Sequence, residues 1–307
     1  MSVPGPGFIR PPALPGGMLR LAVATDAETL ARIREPLADR GIEAVHVPTR
    51  ERVQPLGEPI AEEPFDLGFV YPPRLMEGGV ADALLSVPWV NDRAAILRSR
   101  NKAGALARLG SAGVPTPRTV HVSNPVGAAE LRAVFERFDP PVVVKPNSTT
   151  RGVGVAKAHD LDSFLGICDY LELVHAYRAT GDRSFLVQEY IPDATDYRAM
   201  VVDGEYVGCV ERRLPADARA AGRWKHNVHR GAVADGVELP AARRELVEEA
   251  ATALDVDWLG VDLLATDDRA VVTETNARPT VDDAAKYEAD LDDRLAALVR
   301  RTAGRDR

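Results

Sequence analysis

Hydrophobic and polar positions along this chain switch repeatedly between the two-residue period of a strand and the longer period of a helix. Leu19, Leu21 and Val23 fall on one face of a strand. Thr25, followed three residues later by Glu28, has the form of a capping box. It predicts a helix to about Arg40, kinked at Pro36 and ended by Gly41. Strands are predicted over 42–47, 65–71 and 87–90, which completes a small N-terminal α/β domain over 18–91. Asp92 is placed to cap one long helix through Arg108, stopped by Gly110 and Gly113. A β-branched strand over 142–145, a helix over about 161–177 and a strand over 185–191 follow. The remainder is strand-rich: 197–202, a turn at Asp203-Gly204, then 206–213. An irregular basic stretch (223–231) leads to a helix over 240–254, a hairpin over 259–276 and a terminal helix after Asp283. No internal repeat interrupts this order. It divides into units of 18–91, 92–187 and 188–307, behind a Pro/Gly-rich segment (1–17) read as a disordered leader, with Met18 as an alternative start.

Composition narrows the classes of function. A chain of 307 residues with 45% hydrophobic and 27% charged residues can bury the cores of two domains or three small lobes. Its net charge of −8 argues against general nucleic-acid binding. No apolar run is long enough to span a bilayer, and nothing reads as a secretory signal. Cys168 and Cys209 fit neither a metal spacing nor a disulfide framework, which points to the reducing cytoplasm. Only five of the 38 basic residues are lysines (Lys102, Lys145, Lys157, Lys225 and Lys286), so each lysine is informative. The first strand-to-helix turn, Ala24-Thr25-Asp26, lacks the glycines of a dinucleotide-binding loop.

The last hairpin holds the densest chemistry. Glu274 and Asn276 share a strand face because side chains alternate. A three-residue loop of Asp267-Asp268-Arg269 places Asp262 directly opposite Glu274, whereas a two-residue loop shifts the register by one and separates them. Two carboxylates and an amide on one face are hard oxygen ligands suited to magnesium. The alternative is an ordinary acidic, solvated hairpin face.

Lys145 closes the strand VVVK and precedes a loop rich in hydroxyls and glycine, from Ser148 through Gly152 to Gly154. Such a lysine can neutralise phosphate while backbone N–H groups close over it, although a plain turn has the same composition. Lys102 offers a second phosphate contact, or is simply a solvated helix lysine. The strand end Gln188-Glu189-Tyr190-Ile191 offers backbone groups to a base edge, or is simply core. The basic segment 223–231 beside these carboxylates suits an anion next to a metal; its rivals are RNA binding and a solvated face.

The order of KPNSTTRGVGV, LVQEYI, DYRAMVV, ERRL, WKHNVHRG, GVDLL and ETNARP resembles the ATP-grasp ligases of the RimK type, over about residues 88–300. The resemblance implies an ATP-grasp fold of mixed α/β and α+β class behind a Rossmann-like N-terminal domain. It implies that Lys102 and Lys145 meet ATP phosphates, with Ser148, Gly152 and Gly154 in the loop above them. Glu189, Tyr190 and Ile191 form the adenine hinge, Asp196 lies near the nucleotide, and Lys225, His226 and Asn227 approach the triphosphate. Asp262, Glu274 and Asn276 become the ligands of magnesium, with manganese as an alternative. Arg198, Arg213 and Arg230 match positions that stabilise an acyl phosphate or substrate.

One departure stands out: the family's usual Asn-x-Ser-Pro-Gly turn reads Asn276-Ala277-Arg278-Pro279-Thr280, which puts Arg278 where a substrate carboxylate could sit. The implied reaction forms an amide through an acyl phosphate, adding an amino acid such as glutamate to an acidic small molecule or a protein terminus. Ligases of this type often form dimers or tetramers, which leaves a homo-oligomer open. An ATP-grasp enzyme of other chemistry (a dipeptide ligase or a phosphotransferase) and a non-catalytic ATP-binding regulator are the alternatives.

Overall fold

The computed structural model describes residues 17–24, 28–149, 152–174, 182–226, 228 and 231–305. Apart from Gly17, the expected leader lies outside the described residues, as do Thr25 of the capping box and the end of the 161–177 helix.

The chain opens with β1 (Leu19–Val23), α1 (Glu28–Ala38), β2 (Ile42–His46), β3 (Leu67–Phe69), α2 (Gly78–Leu85) and β4 (Trp89–Val90). These strands form a parallel sheet of order β2-β1-β3-β4. Helix α1 covers it with Leu30, Ile33 and Leu37, spaced as one helical face, and runs through Pro36 to Ala38. Two helices follow, α3 (Arg93–Arg100) and α4 (Lys102–Ser111). The single long helix expected here is therefore corrected. Asn101 leaves helical geometry (φ −77°, ψ 91°), and its side chain accepts from Gly104 N–H to cap α4. An Asn outcompetes its own helix at such a position because its side chain satisfies the next helix's free donors.

Next come β5 (Thr119–Ser123), α5 (Ala128–Phe135), β6 (Val142–Pro146), β7 (Ala156–Ala158), α6 (Leu161–Val174) and β8 (Ser184–Glu189). They build an antiparallel sheet of order β5-β8-β6-β7 with its own core, in which Phe135 and Phe164 stack at 5.2 Å. The chain then forms β9 (Thr195–Val202), β10 (Glu205–Arg213), α7 (Ala216–Ala220), β11 (Val233–Val237), α8 (Ala241–Leu254), β12 (Trp258–Ala265), β13 (Ala270–Asn276) and α9 (Leu291–Ala303). Its antiparallel sheet has the order β11-β10-β9-β12-β13.

The terminal helix begins later than its expected start after Asp283. Residues Ala284–Lys286 make one 3-10 turn capped by Asp283, and Tyr287 then bridges to Gly208 of β10. Gly208 sits at φ +147°, and a Cβ there would lie 2.8 Å from Tyr287 Cα. The chain must lie against β10 before a helix can start.

The parallel sheet and the last antiparallel sheet share one hydrophobic core, which also takes in α3, α4, α8 and α9. Phe69 and Trp258 meet edge to face at 5.6 Å across it. Buried Asn91 donates from its side-chain amide to the carbonyls of Trp258 and Ala277, joining the end of β4 to both strands of the last hairpin. Among the described residues no helix is long and apolar enough to cross a membrane.

Candidate functional site

A cleft of about 620 Å³ opens between the two antiparallel sheets. Val143, Lys145, Val155, Gln188, Glu189 and Tyr190 line one wall; Asp196, Arg212, His226, Asp262, Leu264 and Glu274 line the other. The apolar stretch of each wall can take a flat ring, and the charged end can take an anion with a cation.

The hairpin explains how the carboxylates converge. Its ladder starts at Ala265 and Ala270, and Thr266 N–H closes on the Arg269 carbonyl, so only Asp267 and Asp268 extend past it. The three-residue loop is thus corrected to a tighter one, whose unbroken register would set Glu274 against Val261. Instead the ladder shifts between Asp262 and Leu263, with Thr273 as the extra residue of a β-bulge. Asp262 faces Glu274 after all. The bulge also turns the Thr273 carbonyl toward Lys145 Nζ, which donates to it at 3.3 Å.

Each carboxylate is met by cations. Arg198, opposite Asp262 on the β9–β12 ladder, grips it with Nε–Oδ1 at 2.7 Å and Nη2–Oδ2 at 2.8 Å. Arg212 reaches Asp262 Oδ2 at 3.3 Å and donates to Asp196 from Nε at 2.7 Å. Burial opposes ionisation of Asp262, but the two guanidiniums outweigh it and hold the carboxyl well below its usual range. Asp262 in turn raises Arg198 above its ordinary value, burial notwithstanding. Lys102, 5% exposed at the first turn of α4, lies 3.2 Å from Glu274 Oε1 and donates to the Thr149 carbonyl. Burial lowers Lys145 to about 8, helped by the Lys102 charge and opposed by Glu274 and Asp262.

The expected nucleotide segments surround this centre. Gly152 and Gly154 adopt positive φ (65° and 74°), and a Cβ on Gly154 would lie 2.7 Å from Pro146. The loop they belong to is tied down where Thr149 Oγ1 donates to the Val153 carbonyl. Ser148 is half-buried ahead of it. At the hinge, Glu189 pairs with Arg269 from the hairpin tip at 3.0 Å, so its carboxylate serves to dock the two lobes. Arg269 and Arg118 outweigh burial and keep that carboxyl below its ordinary value. Tyr190 meets the ring of Trp224 edge to face, with Lys157 Nζ 4.5 Å from the Tyr190 centroid. Ile191 is buried beside it. Lys225 donates to the Val155 carbonyl, and His226 Nδ1 lies 3.4 Å from Asp196. Asn227 and Arg230 lie outside the described residues.

One sequence-selected arginine points elsewhere. Arg213 lies at the cleft margin, but its side chain is 61% exposed and pairs with Asp235 and Glu211. Its neighbour Arg212, on the opposite face of β10, is the buried arginine between Asp196 and Asp262. The sequence signal that could have found it is strand alternation: Arg212 pairs across the β9–β10 ladder with Asp196. Asn276 accepts from Arg278 N–H through Oδ1, at the end of β13 beyond the cleft lining. Arg278 donates to the Tyr71 carbonyl at the edge of the parallel sheet, and burial lowers it to about 10.

The donor set fits magnesium by its chemistry. Asp262 and Glu274 supply paired carboxylates and Asn276 an amide oxygen from the same strand as Glu274. Magnesium usually takes one or two carboxylates and completes its shell with phosphates and water. Among the described residues no three His, Cys, Asp or Glu side chains gather as a metal cluster.

Two antiparallel sheets clasping a cleft behind a parallel α/β domain define an ATP-grasp protein. Within that class the chain belongs to the RimK-like ATP-grasp family, whose domain profile matches residues 99–299. A probable alpha-L-glutamate ligase from Pectobacterium carotovorum is 30% identical over 192 residues, which are 62% of this chain and 59% of that protein. The ribosomal protein bS6–L-glutamate ligase of Escherichia coli is 31% identical over the same shares. The match thus spans about three fifths of the length of these relatives. The crystal structure of a RimK domain ATP-grasp protein from Sphaerobacter thermophilus superposes with a TM-score of 0.62 at 23% identity, covering 92% of this chain and 98% of that one.

Proposed function

We propose that this protein is an ATP-dependent carboxylate–amine ligase that adds an amino acid, glutamate by preference, to an acidic acceptor through an acyl phosphate. The observation that carries the reading is the convergence of Lys102, Lys145, Asp262 and Glu274 at one end of the inter-sheet cleft. In this reading the adenine lies against Val143, Tyr190 and Leu264, and the triphosphate points toward the two lysines. Asp262, Glu274 and Asn276 hold magnesium, which supplies charge neutralisation at the phosphates when bound.

The chain's own groups perform the rest. Lys102 and Lys145 neutralise negative charge on the phosphoryl group as it moves to the substrate carboxylate. Arg198 is close enough to the same centre to stabilise the oxyanion formed when the amine attacks the acyl phosphate. That attack expels inorganic phosphate and leaves the amide. Lys225 of the 223–226 segment donates to the Val155 carbonyl just after Gly154, and this contact helps exclude water from the acyl phosphate. The names of the glutamate ligases at about 30% identity support glutamate as the amino acid, and one of them supports a protein acceptor.

A ligation screen tests this reading. MgATP is combined with a matrix of amino acids and acidic acceptors, and products are read by mass. A glutamyl mass increment with matching ADP release is the expected result. A phosphorylated acceptor without amide would make the protein a phosphotransferase. Nucleotide binding without ADP release under any combination would make it a regulator.

A further inference from the structure

We propose that Arg100 and Arg278 form an anion subsite that binds a carboxylate of the acid substrate, apart from the lysines that face phosphate; the inference rests on the ligase reading above. Three cations of the centre already have a carboxylate: Lys102 has Glu274, Arg198 has Asp262, and Arg212 has Asp196 and Asp262, while Lys145 donates to the Thr273 carbonyl. Arg100 and Arg278 have none among the described residues. Arg100 makes only a long contact, 3.5 Å, to the Ser148 carbonyl, and Arg278 donates to the Tyr71 carbonyl. Arg278 Nε is buried without any partner. Two half-buried guanidiniums set together without a counter-charge repel each other and forfeit hydration, unless an anion joins them.

The backbone around them is fixed by more bonds than a turn needs. Ser99, one residue before Arg100, accepts from Ala277 N–H at 2.9 Å and meets Thr275 Oγ1 at 3.1 Å. Asn91 donates to the Ala277 carbonyl at 2.7 Å, and Asn276 accepts from Arg278 N–H at 2.9 Å. The end of α3 and the 276–278 turn are therefore bolted side by side, which fixes the backbone that carries both arginines. Their location suits an acid substrate. Tyr71 follows β3 at the carboxyl end of a parallel sheet, where open α/β sheets take ligands, and Lys102 and Glu274 begin the reacting centre immediately beyond.

Glutarate serves as the probe, with its neutral diamide as control, titrated by calorimetry into protein holding the Mg complex of a non-hydrolysable ATP analogue. Wild-type protein should bind glutarate at millimolar concentration or below and reject the diamide. Arg278→Gln and Arg100→Gln should each weaken glutarate roughly 10- to 100-fold, the loss of one charge-assisted contact. Both should leave the affinity for the ATP analogue within a factor of two or so of wild type. Arg278→Lys, which keeps the charge, should recover part of the glutarate affinity and guards against a loss of fold. Absence of glutarate binding to the wild type overturns the proposal, as does unchanged binding by both Gln variants. A parallel fall in nucleotide affinity also overturns it, since the arginines would then serve phosphate. No turnover is measured, so failure here leaves the ligase reading to its own screen.

Discussion

Arg198 holds both carboxylate oxygens of Asp262 from the directly opposed position on the neighbouring strand, at 2.7 and 2.8 Å. With Arg212 on the second side, Asp262 becomes a buried carboxylate that stays ionised in a low-dielectric site. Asp262→Asn removes the charge and leaves two guanidiniums facing an amide. Breaking a buried pair from one side costs roughly 3–5 kcal/mol, and we expect a loss toward that size in urea unfolding. The pH dependence follows from the lowered pKa. The contribution of Asp262 is fully present above the unfolded carboxyl value near about 4 and is lost as pH falls below it toward the folded value. Wild-type stability should therefore drop below pH 4 more steeply than that of Asp262→Asn.

Lys145 titrates in the opposite sense. With its folded value lowered to about 8, the unfolded chain binds more protons between there and the ordinary 10.5. This group's contribution to stability thus becomes more favourable as pH rises through that window. Its charge in the folded protein is lost as pH rises through about 8, so affinity for a MgATP analogue should fall across that value. Calorimetry across pH 7 to 10 checks this, and Lys145→Met should remove that part of the pH dependence.

Asn101 separates two helices and sets Lys102 at the start of the second. Asn101→Ala should cost about 1 kcal/mol of stability, the usual loss of an N-cap. Because Lys102 then loses its fixed starting point, KM for ATP should rise more than kcat falls. Steady-state kinetics with a coupled ADP assay would show the split; an unchanged KM would mean the lysine is placed by its other contacts alone.

Much of the fold is written in local signals: the 3.6-residue face of α1, the alternating strands β9 and β10, and the hairpin of β12 and β13. The break at Asn101 was hidden because flanking apolar residues keep a helical period across it. The 3-10 turn before α9 depends on Tyr287 meeting Gly208, a contact 79 positions back in the chain that no local pattern carries. The opposition of Asp262 and Glu274 was legible, but the reason for it was not: a tight tip and a bulge at Thr273 offset one another. The adjacent Arg212 and Arg213 look alike in the sequence until the strand's buried face is fixed. The role of Arg269 at Glu189 likewise required two lobes brought together.

Glu274→Gln should retain the fold, since its partner Lys102 keeps a hydrogen-bond acceptor, yet lose roughly 10²- to 10³-fold in turnover. Circular dichroism with ADP release at saturating magnesium tests both halves, and wild-type turnover in this variant would remove Glu274 from the reacting centre.

The central claim is that the cleft activates a carboxylate by phosphorylating it. The most direct measurement uses an acceptor found in the ligation screen, labelled with ¹⁸O in its carboxyl groups, with MgATP and the amino acid that it takes. An acyl phosphate predicts one ¹⁸O transferred to inorganic phosphate for each amide formed, with ADP as the nucleotide product. Amide formed with unlabelled phosphate, or with AMP in place of ADP, contradicts the account.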